Sequence, residues 1–132
     1  MLVLATVVLF AACSKDNMEI IDVYGDPSVL NGKWKLSETL ADPGDGSGEW
    51  KKVSRETNSY IVFKEDGSLS GDAFADYTTY AVQDSIILKF TKADGVTFQN
   101  YGYKLQNRAL SLSPAGPIRC IEACGIRFKK IE

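Results

Sequence analysis

The strongest constraint on this chain is a rhythm. From about Leu30 onward, short apolar runs alternate with a period of two residues and turn-forming residues break them every few positions. No stretch sustains the 3.6-residue period of an amphipathic helix. Tyr60-Ile61-Val62-Phe63 is a β-rich run followed by Asp66-Gly67, a strong hairpin signal. Phe74 to Val82 alternates, and Gln83-Asp84-Ser85 turns the chain into Ile86, Leu88 and Phe90 before Ala93-Asp94-Gly95 turns it back. Val96 and Phe98 share one parity while Tyr101, Tyr103 and Leu105 share the other, which predicts a bulge around Gln99-Asn100. Asn107-Arg108 leads into Leu110 and Leu112. Ser113-Pro114-Ala115-Gly116-Pro117 is expected to end that strand, because proline donates nothing to a ladder. Ile118 to Cys120 and Ile126 to Ile131 then read as the last strands. The count, about eight to ten short strands, predicts an antiparallel barrel or sandwich.

At the head of this region Trp34, Leu36 and Leu40 share one parity, so the Trp34 ring is expected to point inward. Residues 42–48, Asp-Pro-Gly-Asp-Gly-Ser-Gly, read as a mobile loop, and Trp50 and Val53 mark a short second strand beside it.

Upstream, residues 1–12 are uncharged and almost wholly apolar, too short a run to cross about 30 Å of hydrocarbon as a helix. They read as the core of a signal peptide. Small residues Ala11 and Ala12 precede Cys13, after which polarity begins abruptly with Ser14-Lys15-Asp16-Asn17. Leu9-Phe10-Ala11-Ala12-Cys13 resembles the lipobox of bacterial lipoproteins, which implies that Cys13 is acylated, palmitate among its chains, and becomes the new N-terminus. Phe10 stands where that pattern carries a leucine-type residue. No Lys or Arg precedes the apolar core, so a start upstream of Met1 is expected. Residues 13–29, polar and broken by Gly25-Asp26-Pro27, read as lipidated cysteine and tether, and residues 30–132 as one folded domain.

Of three cysteines, lipidation uses one and leaves Cys120 and Cys124 as a pair in an oxidising compartment. Four positions apart, they suit a disulfide across a tight turn. A metal site would need further ligands, and the chain contains no histidine. The missing histidine also removes the commonest general base at neutral pH. No Gly-x-Ser-x-Gly elbow or phosphate-binding loop is present, and nothing in the sequence sets the paired carboxylates Asp72 and Asp76 in a cleft. A non-catalytic protein with no cofactor and no metal is expected. A net charge of -2 gives no basis for binding nucleic acid. Basic residues crowd the C-terminus while Asp42, Asp45, Glu49, Asp66, Asp72 and Asp76 lie mid-chain.

Leu30-x-Gly32-x-Trp34, Phe63-x-x-Asp66-Gly67-Ser68, Tyr103-x-Leu105 with Leu110-x-Leu112, and the closing Arg119-Cys120-Ile121-Glu122-Ala123-Cys124-Gly125 together resemble the lipocalin-like lipoproteins of Bacteroides-type bacteria. The resemblance implies an all-β, small antiparallel up-and-down barrel of about eight strands. It implies that Trp34 packs at the closed end under Arg127 of the last strand. About a hundred residues make a shallower cup than a full lipocalin. The function expected on this footing is that of a membrane-anchored lipoprotein of the cell envelope, at the outer membrane. It would bind a small apolar ligand or an envelope protein. Tyr60, Phe63, Tyr77, Tyr80, Phe98, Tyr101 and Tyr103 are the candidate lining, with the alternative that most of them simply fill the barrel. A filled barrel would favour an accessory or inhibitory lipoprotein working through its surface loops.

Overall fold

The computed structural model describes residues 26–132. Cys13 and the leader therefore lie outside the described residues. After a 3-10 turn at Pro27–Leu30 come β1 (Gly32–Ala41), β2 (Trp50–Lys52), β3 (Tyr60–Phe63) and β4 (Leu69–Ser70). A second 3-10 turn at Asp72–Phe74 leads to β5 (Tyr77–Gln83), β6 (Ile87–Lys92), β7 (Phe98–Gln106), β8 (Ala109–Gly116) and β9 (Cys124–Lys130). The sheet runs β4-β3-β1-β9-β8-β7-β6-β5, every pairing antiparallel, with β2 alongside β1. β2 and β3 pair with successive stretches of β1, so they form one barrel strand interrupted by residues 53–59. The Tyr80 N–H donates to the Gly67 carbonyl at 2.9 Å and Ser68 bridges Thr79, which brings β5 back to β4. The result is an up-and-down antiparallel barrel, nearly closed, one of the two architectures that the alternation predicts and the one that the resemblance implies.

Turn chemistry sets the register. Asn107 and Arg108 both have positive φ, the geometry of a two-residue hairpin whose twist matches the flanking strands, and Asp84 and Ser85, also at positive φ, open the three-residue turn 84–86. At Asp66-Gly67 the glycine takes φ +85° and the Asp66 carboxylate accepts the Ser68 N–H at 2.9 Å.

Five expectations about the strands are corrected. A bulge between Leu36 and Glu38 flips the end of β1, so Leu40 pairs with Trp50 and Gly125 and does not share the face of Trp34. In β7 no parity change occurs before Tyr101. Gln99, 3% exposed, begins the inward series continued by Tyr101, Tyr103 and Leu105, and Phe98 faces out. The irregularity in that ladder lies between Asn100 and Tyr101, opposite Pro114 and Gly116, so β8 absorbs its proline in a bulge and runs on to Gly116. Beyond it, residues 118–120 form only the isolated bridge of Ala115 with Arg119. The Gln99 amide holds this segment, donating to the Ile118 carbonyl at 2.8 Å and accepting its N–H at 3.1 Å. Finally, Phe74 belongs to no strand. Gly71, at φ +106°, turns the chain into the barrel, and the Asp72 carboxylate takes the Tyr60 N–H at 2.8 Å that a longer β4 would have satisfied.

Aromatic rings fill the interior. Phe74 lies edge-on to Phe90 and Tyr101 at 5.0 and 5.3 Å between centroids, and Phe63 meets Tyr80 at 4.9 Å. Trp34 is 1% exposed, and its indole N–H donates to the Leu30 carbonyl at 2.7 Å, which ties the first 3-10 turn across one end of the barrel. Arg127 is not its partner. Phe128 points inward, so strand alternation turns Arg127 out, where its guanidinium stacks 3.9 Å from the Trp50 ring centroid. Lys130 lies opposite Trp34 in the ladder, with its ammonium 5.4 Å from that ring. Burial, then the neighbouring Arg108 charge, lowers the pKa of that ammonium.

Candidate functional site

The two barrel ends differ in construction. The first 3-10 turn and the 64–68, 84–85 and 107–108 turns gather at one end, which Trp34 and Leu30 seal. At the other lie residues 42–49, 93–97 and 117–123, with the Phe74 turn sunk between strands. There an apolar cup of about 300 Å³ opens, lined by Thr39, Phe74, Tyr101, Leu112, Pro114 and Ile126 among others. Phe74 forms its floor by packing onto Phe90 and Phe128. Burial, then the nearby Tyr77, pushes the Tyr101 phenol up to about 12, so this hydroxyl stays a hydrogen-bond donor at every physiological pH.

Of the candidate lining, Tyr101 alone lines this cup. Phe63, Tyr80 and Tyr103 are buried core residues. Tyr80 is further tied to the Lys64 carbonyl at 2.9 Å. Tyr60 is half-buried with Lys33 Nζ 4.4 Å from its ring centroid, and Phe98 lies on the outer face under Lys89 at the same distance. Tyr77 packs against the core beside Phe74 and Phe90. For most of these rings the filling alternative therefore holds. The cup residues that were not foreseen, Phe74, Leu112, Pro114 and Ile126, carried one usable signal. Leu112 and Ile126 are cross-strand partners on the inward parity of their strands.

The rim is organised by carboxylates. Asp42 accepts four backbone N–H groups, from Gly44, Asp45, Gly46 and Gly48, at 2.7 to 3.2 Å. These bonds, that of Gly44 foremost, hold its carboxyl below the usual value. The loop expected to be a mobile connector is thus wrapped around one side chain. Asp94 does the same for Val96 and Thr97. Neither Asp72 nor Asp76 faces the other in a catalytic pair: Asp72 caps the Tyr60 N–H and Asp76 lies 3.8 Å from Lys92. A disulfide joins Cys120 to Cys124, with Cα atoms 6.2 Å apart, and closes the loop that carries Ile121. Ile121 is 98% exposed, and Ile118 and Val96 on the neighbouring rim loops are 70% and 77% exposed.

No family model, no curated protein and no solved structure matches this chain.

Proposed function

We propose that the protein is a non-catalytic binding module, held at the cell envelope by lipid on Cys13, whose open barrel end receives a small apolar group. The observation that carries the reading is the apolar cup over Phe74 in an otherwise filled barrel. Its volume sits at the small end of ligand sites, and a site of that kind combines apolar walls with a few polar groups that set orientation. Tyr101 and Thr39 supply hydroxyls here, so the favoured occupant is an aliphatic or ring group bearing one acceptor atom. The lipocalin-like resemblance supports the same reading.

Stable attachment takes more than one acyl chain, each buried CH₂ contributing about 0.8 kcal/mol. Cys13→Ala should move the protein from the membrane to the soluble fraction on cell fractionation; unchanged membrane retention would refute the anchor.

Hexanol is a suitable first probe of the cup because it is a short apolar chain with one acceptor oxygen. Calorimetric titration should show weak saturable binding, and Ile126→Trp, which fills the cup, should weaken it by roughly tenfold or more. Equal binding by parent and variant would contradict the assignment of the site.

A further inference from the structure

On the outer wall of the barrel, away from the cup, β1 and β9 place two lysines directly opposite each other: Lys35 and Lys129 are cross-strand partners. Like charges in that position repel and destabilise a ladder. The interruption between β2 and β3 adds more positive charge at the same place. A pocket of about 280 Å³ is lined by Lys35, Lys52, Arg55 and Lys129 beside the apolar Val53 and Ile131. One carboxylate, Glu38, borders it, and that carboxylate is already bonded to Arg127 at 2.5 Å, whose Nε donates to the Ser111 hydroxyl. Among the described residues, none of the four cations makes an ion pair.

The interruption is a built feature. The Val53 N–H donates to the Ser37 carbonyl and the Leu36 N–H to the Ser59 carbonyl, so the ladder closes on both sides of it, and Thr57 N–H to Ser54 O forms a turn within it. Arg55 reaches this pocket from within the interruption, beside Lys52 at the end of β2.

We infer that this pocket binds a phosphate or sulfate group, its dianion lying among Lys35, Lys52, Arg55 and Lys129. Charge-assisted hydrogen bonds from a guanidinium and from ammonium groups are the strongest neutral-pH contacts available to such an oxyanion. The bound charge would relieve the Lys35–Lys129 repulsion. The apolar Val53 and Ile131 suit an ester carbon next to the phosphate, which makes both a free anion and a phospholipid headgroup chemically acceptable sources.

The test is calorimetric titration of the purified full chain with inorganic phosphate and, separately, with a short-chain phosphatidic acid below its micelle concentration, both at constant chloride. Tighter binding of the lipid assigns the pocket to a headgroup, and equal binding assigns it to the free anion. Lys129→Gln and Arg55→Gln should each weaken binding by roughly tenfold or more. Lys129→Gln should also raise the melting temperature in low salt, because it removes the facing charge. Arg55 lies outside the ladder, so its variant keeps the barrel intact and isolates the anion contact. No binding of either probe above chloride, or binding unchanged in both variants, would overturn the inference. Neither result bears on the cup.

Discussion

The two ends of the barrel are made of the same strands and do opposite things. At the sealed end the Trp34 indole is fully buried and spends its one N–H on the Leu30 carbonyl, so the chain's entry turn becomes part of the core. At the open end the strands continue past the core. Phe74 supplies the floor, and loops tied by Asp42, Asp94, Gln99 and the Cys120–Cys124 disulfide hold apolar side chains in water. A barrel that needed only stability would close both ends with buried apolar groups. Stabilisation is given up at the open end, and there the proposed binding site lies.

Substitution should expose this asymmetry most sharply at the two tryptophans. Trp34→Ala removes a fully buried ring and is expected to cost about 3 to 5 kcal/mol, a large part of a small domain's total stability. Chemical denaturation with intrinsic fluorescence would measure it. Trp50 is half-buried on the outer face, over Gly125 and under the Arg127 guanidinium. Trp50→Ala should cost about 1 to 2 kcal/mol, from a cation-π contact and part of a ring's burial. Equal losses at the two positions would erase the distinction between sealed core and outer wall.

Much of this is legible in the sequence. The β-rich run of β3, the alternation of β6, and turn residues at Asp66-Gly67 and Asn107-Arg108 follow from local chemistry, and so do the strand count and the inward Trp34. What was not readable depends on contacts distant in sequence. Leu40 leaves the face of Trp34 because a bulge sits between Leu36 and Glu38, and no residue type there announces it. Gln99 reads as a polar interruption of β7 until the Ile118 backbone is found across from it. Phe74 has the right parity for a strand, and only the early exit at Gly71 sends it into the barrel instead. The partner of Trp34 is Lys130 because of register, a property no count of arginines in the last strand reveals. The cup escaped notice for the same reason, being made by β7, β8 and β9 together with a turn that sequence had assigned to a strand.

Acid should act more gently, on the loops and turns of both ends, since Asp26 and Asp66 in the sealed-end turns are lowered as well. Asp42 is held below the ordinary carboxyl value of 3.8 chiefly by the Gly44 N–H, Asp94 chiefly by Thr97 and Asp72 chiefly by the Tyr60 N–H. A carboxyl whose folded value is depressed adds stability that is complete above its unfolded value and lost as pH falls through the folded one. Amide exchange at Gly44, Gly46 and Thr97 should therefore rise as pH drops below about 4, after correction for intrinsic rates, while the Trp34 indole stays protected. Simultaneous loss of both would mean that rim and core open together.

The most direct test of the account is methyl NMR of the full chain titrated with hexanol. Shifts concentrated at Leu112 and Ile126, with Leu30, Ile61 and Leu110 unmoved, are the predicted result. They would place an apolar ligand over Phe74 with the sealed end excluded. Shifts spread evenly over the buried methyls, or confined to Leu30 and Ile61, would contradict the claim that, of the two barrel ends, the open one receives the apolar ligand.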